Sequence, residues 1–336
     1  MLEISCAFAT SLDTPEHVRI AEELGYRRAW LYDSPALYPD VWMTLALAAQ
    51  RTSRIGLGPA VLVPSLRHPM ANAAAIAQLA HLAPGRVEVA VGSGFTGRMT
   101  FGQRPLSWRF VRQYIETLKA LLRGEKAEWE GRMIQMMQPD GFAPGRPIEV
   151  PIVVGAGGPK GVRVAEDLAD GVFVTTPPRG PVVEGRDWRC IVLTFGTVLG
   201  EGEDPGAERV VDAAGHGAAV GLHAMYERGM DLSRVRGGAE WRARVDAIPE
   251  NERHLMLHGL HLIGVSEHDR PLITGDFIRQ AGMARTADEW RRRLDELEQA
   301  GATEIAYQPA GPDIPGELRR FAEVARISLS AAVAGD

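Results

Sequence analysis

The chain is short of cysteine, of basic charge and of long apolar runs, and each shortage removes a class of protein. Two cysteines among 336 residues, Cys6 and Cys190, cannot build a disulfide scaffold. Both lie in apolar, β-prone stretches, where a thiol reads as a small buried hydrophobe. So few thiols also suit a reducing, cytoplasmic setting. A net charge of −6 leaves no basic surplus for a nucleic-acid backbone. No apolar run approaches the roughly 20 residues of a membrane helix. The opening "MLEISCAFAT" lacks the basic start and long apolar core of a signal peptide. Catalytic signatures are missing as well: there is no HExxH, no GxSxG elbow and no P-loop. His254, His258 and His261 would share a helix face, but no His-x-His stands at a strand end. They read as solvated or hydrogen-bonded side chains, and no metal is expected.

What remains is a soluble α/β composition, 45% hydrophobic and 24% charged. Short β-rich runs alternate with longer runs of helical period. Strands are predicted at Glu3–Ala9, Arg28–Asp33, Arg54–Val63, Gly85–Gly92, Pro151–Ala156, Gly171–Thr176, Cys190–Leu199 and Thr303–Pro309. Helices fall between them, the first opening with Thr14 as cap, Pro15 at its first position and Gly25 at its end. "EWEGRMIQM" reads as a hairpin. Eight strands alternating with helices argue for parallel βαβ units closed into a (β/α)8 TIM barrel. The chain reads as one domain, 1–336, with a helical insertion at about 200–285 between strands seven and eight.

A barrel of this kind places its chemistry at the C-terminal strand ends. Those ends are Asp33-Ser34, Val63-Pro64-Ser65, "GSGFTG" from Gly92, "GAGGPKG" from Gly155, and Thr175-Thr176. Glycine recurs there and lets a backbone approach a flat ligand or a phosphate. "GAGGPKG" departs from the dinucleotide fingerprint, because Lys160 stands where the third glycine belongs. It is either a plain strand-to-helix turn or a phosphate cradle with Lys160 as counter-charge. Ser93, set among glycines, suits a hydroxyl donor to a ligand better than a nucleophile. Pro59 inside the third strand cannot donate to a ladder, which suggests a bulge or an irregular strand.

The order "LYDSPALYPDVWMTLALAAQRTSRIGLGPAVLVPSLRHPM…LAHLAPGRVEVAVGSG…PIVVGAGGPKGVRVAEDLADGVFV", with "ELEQAGATEIAYQPAGPDIPGELRRFA" near the C-terminus, resembles the bacterial luciferase-like superfamily. It is most similar to the deazaflavin branch, which includes methylenetetrahydromethanopterin reductase and F420-dependent glucose-6-phosphate dehydrogenases. The resemblance covers nearly the whole chain apart from the insertion. It implies a TIM barrel holding F420 or FMN at the strand ends. It implies a non-prolyl cis peptide at Ala60–Val61 behind the ring. Phosphate contacts would come from Gly92-Ser93-Gly94 and from the loop of Gly155, Gly157, Gly158 and Lys160, with Thr175 nearby. Asp33 matches an acid near the polar edge of the ring. The family commonly forms homodimers.

Two departures narrow the chemistry. The deazaflavin sugar-phosphate dehydrogenases carry Asp-His after strand two, where this chain has Asp33-Ser34, and a glutamate where it has Phe95. Both are acid/base groups in that chemistry, so sugar dehydrogenation is disfavoured and Phe95 points to a more hydrophobic substrate. The expectation is a cytoplasmic oxidoreductase passing hydride from reduced F420 to an unsaturated C=C or C=N small molecule. Ser34, Tyr38 and His68 are the candidate proton donors, and His68 equally suits helix capping. The alternatives are an FMNH2-dependent luciferase-like monooxygenase and a cofactor-free binding homologue.

Overall fold

A computed structural model describes residues 2–176 and 188–325 of the chain. Eight parallel strands form the central sheet: β1 (Glu3–Phe8), β2 (Arg28–Leu31), β3 (Gly56–Pro59), β4 (Val89–Gly92), β7 (Ile152–Gly155), β8 (Gly171–Val174), β9 (Arg189–Phe195) and β12 (Glu304–Gln308). Their order is β3-β2-β1-β12-β9-β8-β7-β4. Two bridges, Leu57 to Val87 and Leu62 to Val91, join the two edges and close a (β/α)8 TIM barrel. The short hairpin β5 (Ala127–Trp129) and β6 (Arg132–Ile134) lies outside it, turning through Glu130 and Gly131, both at positive φ.

Strands β2, β3, β4 and β8 are buried along their whole length, as expected where one face meets the barrel interior and the other meets helices. Seven helices pack outside: α1 (Thr14–Leu24), α2 (Val41–Arg51), α3 (Pro69–Leu82), α5 (Trp108–Arg123), α6 (Pro159–Leu168), α11 (Ala287–Gln299) and α12 (Ile314–Val324). A separate inner cluster contains Ala7, Trp30, Tyr32, Ala90, Val153, Phe173, Ile191 and Ala306. Below it, buried Glu88 and Glu304 meet Arg28 at 2.8 and 3.1 Å and also pair with Arg189. This ion cluster gathers β2, β9 and β12 at the barrel floor, together with Glu88 just ahead of β4.

The structure shortens strand three to Gly56–Pro59 and strand four to Val89–Gly92, and it moves the start of the first helix and the end of strand seven. The N-cap position of helix α1 is Asp13, whose side chain makes no cap hydrogen bond, and Thr14 is already the first helical residue. Strand seven stops at Phe195, because Gly196 turns at φ 121 and packs so close to Met283 that a Cβ would lie 2.3 Å from its carbonyl oxygen. The chain then leaves the barrel and pairs β10 (Thr197–Val198) with β11 (Ala284–Arg285). Between them lie α7 (Glu208–Glu227), α8 (Gly238–Asp246), α9 (Arg253–His258) and α10 (Gly275–Gln280). A further short helix, α4 (Phe95–Met99), follows the glycines after β4 and was not expected from the sequence.

Candidate functional site

The C-terminal mouth of the barrel is built around Val61. The Ala60–Val61 peptide is cis. Val61 lies directly over two strand-end glycines: a Cβ on Gly92 would come within 2.7 Å of its Cγ2, and a Cβ on Gly155 within 2.7 Å of its Cγ1. Three strand ends thus meet in a low shelf that any larger residue would disrupt. Gly94 is fitted just as closely, at φ 79 with Val63 Cγ1 2.4 Å from where its Cβ would be. Ser93 between them is half-buried, and its carbonyl accepts the Leu106 N–H at 2.8 Å.

Next to the shelf, β7 runs into the glycine loop and α6. Gly158 caps this helix, and the Gly161 and Val162 N–H groups both return to its carbonyl. Gly157 and Gly158 are exposed, with open space where their Cβ atoms would be. Lys160 is exposed in the first turn. A helix N-terminus, bare backbone and a nearby ammonium together suit a phosphate. Thr175 is exposed at the end of β8 on the same rim.

Asp33 and its neighbours are held more firmly than the sequence suggested. Both Asp33 carboxylate oxygens accept from Arg67, at 2.7 and 2.8 Å, and Arg67 also reaches Asp40 at 2.6 Å. Burial pushes the Asp33 carboxyl up, against the pull of the Arg67 guanidinium. The Asp33 carboxylate, expected near the polar edge of a ring, is part of a buried ion pair. It ties the loop after β2 to the residues just ahead of α3 and to the start of α2, which Asp40 caps.

The three candidate proton donors separate. His68 is exposed at the N-cap of α3, its Nδ1 accepts the Met70 N–H at 3.2 Å, and its ring faces Trp129. Its contacts are those of the helix cap that the sequence also suggested. Tyr38 is at the mouth, but its hydroxyl donates to the His261 carbonyl at 2.7 Å and burial pushes its phenol up. In this arrangement the hydroxyl is engaged by a main-chain carbonyl. Ser34 remains at the mouth, buried beside Gly97 of α4. Phe95, the expected substrate contact, opens α4 and is 48% exposed.

Sequence reasoning missed Thr96, Gln308 and the true place of His261. Thr96 Oγ1 lies 3.1 Å from His261 Nε2. Gln308 accepts from Tyr32 at 2.8 Å and donates to the Leu262 carbonyl at 2.7 Å. Two of the three histidines weighed for metal have polar partners: His258 meets Glu227 at 3.2 Å, and His261 meets Thr96. Burial pushes His216 down to about 4 and His261 to about 3, so both are neutral at physiological pH.

Comparison with known proteins agrees with this geometry. Residues 10–189 match the family model described as luciferase-like monooxygenase. The chain is similar to a 5,10-methylenetetrahydromethanopterin reductase of Methanolobus tindarius, 25% identical over 321 residues, covering 90% of this chain and 92% of that protein. It is also similar to an F420-dependent glucose-6-phosphate dehydrogenase of Microbacterium testaceum, 31% identical over 176 residues, or 48% of this chain and 52% of that one. Among solved structures, the coenzyme F420 dependent tetrahydromethanopterin reductase of Methanopyrus kandleri superposes with a TM-score of 0.64 at 19% identity, covering 97% and 99% of the two chains.

Proposed function

The chain belongs to the luciferase-like monooxygenase family, and from that premise we propose that it is an F420-dependent oxidoreductase that reduces an unsaturated C=C or C=N bond in a small molecule. The observation that carries this reading is the Val61 shelf, seated on Gly92 and Gly155, next to the bare glycines at the start of α6. A flat ring fits against such a shelf, and a phosphate fits that helix start. Bound F420 would supply hydride chemistry. The chain's own part is to hold the phosphate with Gly157, Gly158 and Lys160, to support the ring on Val61, and to keep water from the buried wall of Tyr32, Tyr38 and Phe173. Relatives whose names specify F420 support the choice of cofactor. Ser34, buried beside Gly97 at the mouth, is the proton donor favoured over Tyr38 and His68, and Phe95 is proposed to face the substrate.

The second reading is an FMNH2-dependent monooxygenase, which the description of the matching family model favours. A cofactor-free binding homologue is the third. Separate fluorescence titrations of the purified protein with F420 and FMN decide among them. Tight F420 binding supports the proposal, tight FMN binding without F420 binding overturns it in favour of the second reading, and flat titrations favour the third. A homodimer is part of the proposal and is checked by light scattering. The two buried, unpaired thiols fit a cytoplasmic setting, and no helix among the described residues is long and apolar enough to cross a membrane.

A further inference from the structure

The stretch from Gly259 to Ile263 lies across the barrel mouth with an unusual burial pattern. Gly259, Leu260 and Ile263 are exposed, whereas His261 and Leu262 between them are buried. Leu262 packs into the inner barrel cluster with Tyr32, Tyr38, Ala60 and Phe173, and Val61 packs against that same cluster. Three polar contacts hold the pair. Tyr38 donates to the His261 carbonyl at 2.7 Å, Gln308 donates to the Leu262 carbonyl at 2.7 Å, and Thr96 meets His261 Nε2 at 3.1 Å. The anchors come from the loop after β2, from α4 after β4 and from the end of β12, so the segment is held from well-separated points of the rim. Leu262 is at φ 61, a conformation that residues with a Cβ rarely adopt. Local preference does not place it there; the barrel does.

We propose that His261 and Leu262 form an internal plug of the barrel mouth, which a ring settling on the Val61 shelf must displace. The inference rests on the cofactor reading above. Leu262 and the ring would occupy the same apolar space over Val61. Gln308, which holds the Leu262 carbonyl, can pass that hydrogen bond to a ring carbonyl as the plug leaves, whereas the Tyr38 hydroxyl holds only the plug, through the His261 carbonyl. The cofactor-competent form is then a minor population, and the apparent affinity is lowered by that fraction.

The test is stopped-flow and equilibrium fluorescence with F420, and FMN in parallel, on the full chain as wild type, Leu262→Ala and Tyr38→Phe. With a plug, the wild-type association rate levels off as F420 rises, and both variants raise the plateau and lower Kd by about tenfold or more. A wild-type rate linear in F420, with variant affinity unchanged or weaker, overturns the proposal. The wild-type concentration dependence needs no variant, so a variant that fails to fold leaves the question decided. Binding by a variant where the wild type binds weakly or not at all supports both readings. If all three proteins bind neither F420 nor FMN, the cofactor reading falls and the plug's role falls with it.

Discussion

Replacing Gly155 by alanine tests the shelf directly. The new Cβ would lie 2.7 Å from Val61 Cγ1, against 3.4–4 Å for ordinary contact. Val61 cannot yield easily, because its Cγ2 already faces Gly92 and a β-branched side chain has few rotamers. Overpacking of this kind costs about 1–3 kcal/mol. The strain falls on the surface proposed to carry the ring, so F420 affinity should drop about tenfold, which corresponds to about 1.4 kcal/mol. Fluorescence titration reads the affinity, and thermal melting reads the folding cost. Val61→Ala removes the clash, so in the double variant the melting temperature should recover part of its loss, with a coupling of about 0.5–3 kcal/mol. If Gly155→Ala melts and binds as the wild type does, and shows no coupling to Val61→Ala, the shelf argument is wrong.

Three further outcomes follow from the same geometry. Lys160→Ala should leave the melting temperature unchanged and weaken F420 binding about two- to fivefold, as expected for one exposed charge; the loss should shrink in high salt, and a salt-independent loss would refute a charge role. Arg67→Ala leaves the Asp33 carboxylate buried without its partner and should destabilise the fold by about 3–5 kcal/mol in denaturant unfolding, with partial recovery in Arg67→Ala/Asp33→Asn; equal stability would show that the pair is dispensable. His216 and His261 are depressed to about 4 and about 3, so as pH falls below the ordinary histidine value near 6.5 the unfolded chain takes up protons that the folded chain refuses. Stability should therefore fall between about pH 6.5 and pH 4, by up to about 1.4 kcal/mol per pH unit for each histidine, and His216→Asn should flatten the profile measured by urea unfolding; an unchanged slope would contradict the assignment.

Much of the fold was legible because it depends on local pattern. The β-rich runs that became β1, β2, β4, β7, β8 and β12 are short and apolar, and the helices between them carry one apolar face, so alternation and count alone led to the barrel. The failures were of a different kind. Strand seven read as continuous through Leu199, because nothing local shows that Gly196 must turn to let Met283 approach. Asp13 and Thr14 are both residue types that favour a helix start, but the Asp13 side chain makes no cap hydrogen bond and Thr14 Oγ1 accepts the Ser11 N–H.

Local chemistry along the chain is enough to dictate the architecture, the strand ends that form the mouth, and the glycines proposed to carry a ring and a phosphate. These follow from periodicity, from the missing Cβ and from helix-start chemistry, all of which act over a few residues. Tertiary structure alone decided what each polar side chain at the mouth does. Tyr38 meets the carbonyl of a residue 223 positions away, and Thr96 meets the imidazole of one 165 positions away. Asp33 is held by an arginine 34 residues on. A hydroxyl or carboxylate is a candidate acid in any sequence. Whether it is free to act depends on which distant group the closed barrel brings within hydrogen-bonding distance, and here closure turned Tyr38 and Asp33 into anchors and brought His261 and Leu262 over the mouth.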